Sequence, residues 1–143
     1  MSNEPVIRGY AVGPGEGVPD RGPEVKASGR STGGSLTVIE ITVDEGPPKH
    51  THTREDESLY LFTGTLDVEC GADRFTAEPG SFVFLPRNLP HTFRSIRGPA
   101  TALLLVTPGG LDEYFAELSA ALAANAGLAE IAMIQDRYGI IRS

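Results

Sequence analysis

The chain carries a single cysteine, Cys70, among 143 residues. An intrachain disulfide is therefore impossible, which excludes a disulfide-stapled fold and fits a reducing cytosol. Positive charge is also scarce. Twelve Lys and Arg against nineteen Asp and Glu leave a formal net charge of −7 and a pI near 4.9. Neither nucleic acid nor an anionic membrane surface attracts such a chain, so neither is expected as a partner. Long apolar runs are missing as well. Residues 1–25 hold no stretch of signal-peptide length, and nothing approaches a membrane-spanning helix, so the expected location is cytoplasmic.

What is plentiful is punctuation. Seventeen glycines and eleven prolines separate short apolar runs, the mark of many strands joined by turns. The length supports one core. Residues 13–24 are rich in Gly, Pro and charge with almost nothing to bury, so residues 1–24 are expected to form an N-terminal arm or loop. Strands are expected over 25–31, Leu36–Val43, 50–54, Leu59–Thr63, Leu66–Cys70, Arg74–Ala77, Phe82–Leu85, His91–Ile96 and Thr101–Thr107. Their regular spacing makes residues 25–108 an all-β sandwich or barrel. After Pro108-Gly109-Gly110 the period changes. Leu111, Tyr114, Phe115, Leu118 and Leu122 fall on one helical face, and Leu128, Ile131, Ile134 and Tyr138 on a second that ends at Gly139. This tail, 109–143, must cover either the outside of a sheet or a neighbouring subunit.

Only three histidines occur, and each lies where a metal could use it. In His50-Thr51-His52 the period of a strand sends both imidazoles to one side. Glu57 follows shortly, and His91 comes from a distant strand. Together they compose a mixed nitrogen and oxygen set suited to a divalent first-row transition ion. Glu57 shares its face with Leu59 and Leu61, while His91 alternates inward with Phe93 and Ser95. An unpaired carboxylate among apolar walls is costly, and a cation offsets that cost. Tyr60 and Phe62 face the opposite way and are expected under a second sheet or a partner subunit. Cys70 reads as a small buried strand residue, and Arg87 and Arg94 as surface charges. Glu40 either lines the barrel or points to solvent.

Residues 46–95 resemble the cupin superfamily. Its first motif is matched by His50-Thr51-His52, four residues, Glu57, six residues and Gly64. The second is matched by Gly80, five residues, Pro86-Arg87-Asn88, two residues, His91, three residues and then Ser95. Gly46 stands three residues ahead of the histidine pair where the motif has five. Asn88 replaces a glycine, yet asparagine tolerates a positive φ. Ser95 replaces the closing asparagine. The gap to Gly64 selects Glu57 over Glu55, which shares its face; Glu55 and Asp56 are left as solvated rim charges.

The resemblance implies a double-stranded β-helix, or jelly-roll barrel, followed by two C-terminal α-helices. It implies that His50, His52, Glu57 and His91 bind one divalent metal, whether Fe, Mn, Ni, Co, Cu or Zn. Four protein ligands leave open positions, as in catalytic rather than structural sites. Leu59, Leu61, Phe93 and Ser95 are expected to line the substrate pocket. The layout is most similar to small bacterial single-domain cupins labelled quercetinase-like. That implies a dioxygenase acting on a small hydroxylated aromatic or enol substrate, with Glu57 as the base. A non-redox isomerase, cyclase or lyase, or a non-catalytic small-molecule-binding cupin, remains open on the same residues. A homodimer is expected, since open jelly rolls have edges to cover.

Overall fold

The β-branched and aromatic runs form strands, and two-residue alternation decides which side of each is buried. A computed structural model describes residues 6–143. In it the first half of the chain supplies β1 (Val25–Ala27), β2 (Thr37–Val43), β3 (His50–His52), β4 (Asp56–Thr63) and β5 (Leu66–Cys70). The second half supplies β6 (Asp73–Ala77), β7 (Phe82–Leu85), β8 (His91–Ser95), β9 (Ala100–Thr107), α1 (Asp112–Ala123), α2 (Leu128–Arg137) and β10 (Ile140–Arg142). The strands pair antiparallel into two five-stranded sheets, ordered β1-β2-β9-β4-β7 and β10-β3-β8-β5-β6. This is the double-stranded β-helix with C-terminal helices that the resemblance implied.

The core lies between the sheets. β4 turns Glu57, Leu59 and Leu61 inward and leaves Tyr60 and Phe62 outside. β9, beside β4 in the same sheet, adds Ala100, Ala102, Leu104 and Val106, all buried, and β5 adds Leu66 and Val68 from the other sheet. Each fully buried leucine or valine contributes about 1.5–3 kcal/mol relative to exposure. Gly64 is required where β4 turns toward β5: its φ is +85°, and a Cβ there would lie 2.6 Å from the Ala100 side chain.

Three features differ from the sequence-based expectation. The first strand stops at Ala27, short of residue 31. Ser28 and Ser31 bond each other's backbone amides through their hydroxyls at 2.9 Å, which winds Ser28–Ser35 into turns instead. Residues 13–24 do bury something: Val18 is 3% exposed, and Arg21 reaches across to Asp112 at 2.7 Å. Finally, the chain continues past Gly139 (φ +72°, just beyond α2) into β10, which pairs with β3 along its whole length. Glu40 points to solvent, 3.8 Å from Lys26.

The two helices pack against each other, and α2 packs against β10. They lay Tyr114, Phe115 and Leu118 against the His50–His52 end of the barrel. Asp112, 3% exposed, anchors this arrangement. Its carboxylate accepts bonds from Arg21 Nε (2.7 Å), the Gly29 amide (2.9 Å) and the Thr37 hydroxyl (2.9 Å). Burial alone would push its carboxyl up, but these three donors outweigh that and hold it below the ordinary value.

Candidate metal centre

The ligand candidates come from both sheets. β3 carries His50 and His52, and the register sets His50 directly opposite His91 on β8. Glu57 reaches in from β4 of the facing sheet. Local devices fix the approach. Gly46 has φ +76°, and a Cβ on it would collide with the Phe93 carbonyl oxygen at 1.7 Å, so only glycine lets the loop before β3 pass β8 so closely. Asn88 takes φ +69°, and its amide donates to the His52 carbonyl at 2.8 Å, which ties the turn before His91 to the histidine pair.

Each of the four residues offers a donor atom, and these lie within 4.8 Å of one another. His50 Nε2 is 3.1 Å from His52 Nε2, while Glu57 Oε2 is 3.2 Å from His52 Nε2 and 2.8 Å from His91 Nε2. With metal–ligand bonds of about 2.1 Å, neighbouring donors on one ion stand about 3 Å apart. The donor set and its spacing therefore fit a divalent ion. His50 Nδ1 lies 2.7 Å from the Pro48 carbonyl, which can only accept, so Nδ1 carries the proton and Nε2 keeps its lone pair for a metal.

Electrostatics agree with that role. Burial lowers the proton affinity of His50 below the ordinary histidine value, outweighing the hydrogen bond to the Pro48 carbonyl, which works to raise it. Glu57 is 3% exposed. Burial works to raise its pKa, but hydrogen bonds from His52 and His91 outweigh it and hold the carboxyl well below its usual range. An ionised buried carboxylate facing three imidazoles is a ready ligand. Nδ1 of His52 and of His91 are buried without a partner.

A cavity of about 370 Å³ opens from this cluster to solvent, with His50 and Glu57 at one end and Ile41, Val43, Phe93, Leu104 and Phe115 as walls. Of the four residues expected to line the pocket, only Phe93 does. Leu59 and Leu61 are fully buried in the core, and the Ser95 hydroxyl donates to the Gly98 carbonyl in a turn. Asp56 pairs with Arg87 at 3.2 Å, and Arg94 with Asp67 at 3.3 Å, as rim and surface charges do. Glu55 is different: it is half-buried, with Oε1 shut away from solvent and unpartnered, and desolvation raises its pKa. Cys70 is buried, 6% exposed.

A family model described as "Cupin domain" matches residues 37–108, just over half of the chain. This chain belongs to the cupin family. A relative, quercetin 2,3-dioxygenase from Bacillus subtilis, is 28% identical over 72 residues, which cover 49% of this chain but only 21% of that enzyme. Among solved structures, KdgF from a Halomonas species aligns with TM-score 0.54 at 21% identity, covering 62% of this chain and 79% of that one. A cupin-2 domain protein from Shewanella frigidimarina aligns with TM-score 0.49 at 17% identity, covering 57% and 74%. At such identities the structures speak to the fold alone.

Residues outside the matched segment also line the cavities beside the histidines. Phe115 from α1 walls the large cavity, and Tyr114, Gln135 and Arg142 stand near the histidines. Sequence reading gave Tyr114 and Phe115 only as an apolar helical face. Gln135 and Arg142 carried no periodic signal at all.

Proposed function

We propose that this cupin is a metal-dependent dioxygenase acting on a small hydroxylated aromatic or enol substrate. The observation that carries the proposal is the meeting of the His50, His52, Glu57 and His91 cluster with a mainly apolar, solvent-open cavity about large enough for a small ring system. Among the described residues the charged side chains on that cavity are Asp44 and Glu57, both acidic, and no Lys or Arg lines it. The 28% identity to a quercetin 2,3-dioxygenase supports the same class, though this chain spans about a fifth of that enzyme's length.

The three histidines and Glu57 would hold the metal, which when bound supplies an electrophilic centre that acidifies a substrate hydroxyl. Ile41, Phe93, Leu104 and Phe115 would orient the substrate body and keep water from it. Glu57 would accept the hydroxyl proton. Its weak basicity in the metal-free protein comes from two histidine donors on Oε2.

A Lewis-acid isomerase, cyclase or lyase would use the same residues but would accept Zn²⁺ and work without oxygen. The protein loaded with Fe²⁺, Mn²⁺, Ni²⁺ or Co²⁺ is expected to consume dioxygen with catechol or a flavonol, and the Zn²⁺ form is not. Anaerobic turnover by the Zn²⁺ form would transfer the assignment to the non-redox class. Among the described residues no helix is long and apolar enough to cross a membrane. A cytoplasmic homodimer is part of the proposal, supported by the lone Cys70 and by an exposed aromatic sheet face.

A further inference from the structure

A second chamber, of about 140 Å³, adjoins the same histidines. His50 and Phe115 border both cavities, and the smaller one adds His52, Tyr114, Gln135 and Arg142. The last three come from α1, α2 and β10, all outside the segment that matches the family. β10 decides where the cation goes. Ile140 pairs with His52 and is buried, so alternation turns Arg142, which pairs with His50, to the same face as Ile140. Among the described residues Arg142 has no carboxylate within ion-pair distance.

Tyr114 is 5% exposed, and its hydroxyl has one partner among the described residues, Gln135 Nε2 at 3.5 Å. That bond uses the phenolic oxygen as acceptor and leaves its proton unassigned. Gln135 Oε1 is likewise buried without a partner. A guanidinium, a phenol and an amide thus converge on a small space beside a cluster suited to a divalent cation. Two positive centres at close range repel unless an anion lies between them.

We infer that this chamber is a subsite for a small oxyanion, a carboxylate carried by the substrate whose body occupies the larger cavity. Arg142 supplies a planar fork that matches a carboxylate, and the Tyr114 hydroxyl supplies a further donor. The inference rests on the proposed placement of substrate at the metal cluster. It makes the substrate an aromatic or enol acid and makes the C-terminal segment the part that selects it.

The test is calorimetric binding to Zn²⁺-loaded protein, with metal content measured alongside. Salicylate and its neutral counterpart 2-hydroxybenzyl alcohol are the probes, since both keep a phenolic oxygen for the metal. Salicylate is expected to bind roughly 10–100-fold more tightly, the range of one charge-assisted hydrogen bond. Arg142→Gln, at an exposed position, is expected to abolish that preference without altering zinc content. Arg142→Lys restores part of it, and Tyr114→Phe reduces it. Equal affinities in the wild type, or a preference that survives Arg142→Gln, would overturn the subsite while zinc uptake left the metal centre standing. A chain that takes up no zinc would end both.

Discussion

Glu57 holds two contacts that compete with a metal. Its Oε2 lies 3.2 Å from His52 Nε2 and 2.8 Å from His91 Nε2, and each nitrogen either donates to the carboxylate or offers a lone pair to a cation. The metal-free protein satisfies the buried charge with protons, and the loaded protein would satisfy it with the ion. Glu57→Gln keeps the shape and an oxygen but removes charge and basicity. Turnover per bound metal is expected to fall by roughly 10²–10⁴-fold, as for loss of a general base. His91→Ala is instead expected to weaken metal affinity by more than the roughly 10–100-fold typical of losing an outer hydrogen-bond partner. Turnover per metal in Glu57→Gln equal to wild type would remove the base role. Much at this scale was readable from the chain, because glycine and histidine spacing is local. Asn88 does take the positive φ that its place in the motif demanded. Glu55 was misread as a rim charge because its burial depends on segments that fold over it, which no local pattern encodes.

At the scale of elements, Asp112 joins four of them: the arm through Arg21, the turn after β1 through Gly29, β2 through Thr37, and α1, which it begins. Asp112→Ala would leave three donors without an acceptor, at a cost of about 3–5 kcal/mol near neutral pH. Its folded carboxyl lies below the ordinary 3.8, so the unfolded chain binds the proton more readily. The contribution is therefore whole above about pH 3.8 and fades as pH falls below it. Urea unfolding of wild type and Asp112→Ala is expected to show a gap at neutral pH that narrows in acid. A gap that does not change with pH would mean the charge plays no part. The elements themselves were legible where periodicity ran long enough, as in β4 or α1. β10 has three residues and follows a helix-ending glycine, too short to show alternation, and an amphipathic helix does not announce what its apolar face covers. For the same reason Arg142 and Gln135 could be found only in three dimensions.

Among the described residues, the sheet that carries Glu57 exposes a large aromatic surface. Tyr60 and Phe62 on β4 are 42% and 44% exposed, and Phe82 and Phe84 on the neighbouring edge strand β7 are 64% and 52% exposed. The register sets Tyr60 against Phe82, so the four rings form one patch on the outer face of the sheet that carries Glu57. Contiguous aromatic surface of this kind marks an interface. Light scattering at micromolar concentration is expected to give a dimer, and Phe82→Glu with Phe84→Glu a folded monomer. A monomeric wild type would contradict the expectation.

The proposed function depends on one ion that residues of both sheets would hold. X-ray absorption of protein purified with a single added metal, together with metal content per chain, tests that most directly. The expected result is one ion per chain with nitrogen and oxygen neighbours at about 2.0–2.2 Å, and loss of that ion in His52→Ala. A wild-type protein that binds no metal, or metal that remains in full when His52 is removed, would contradict it.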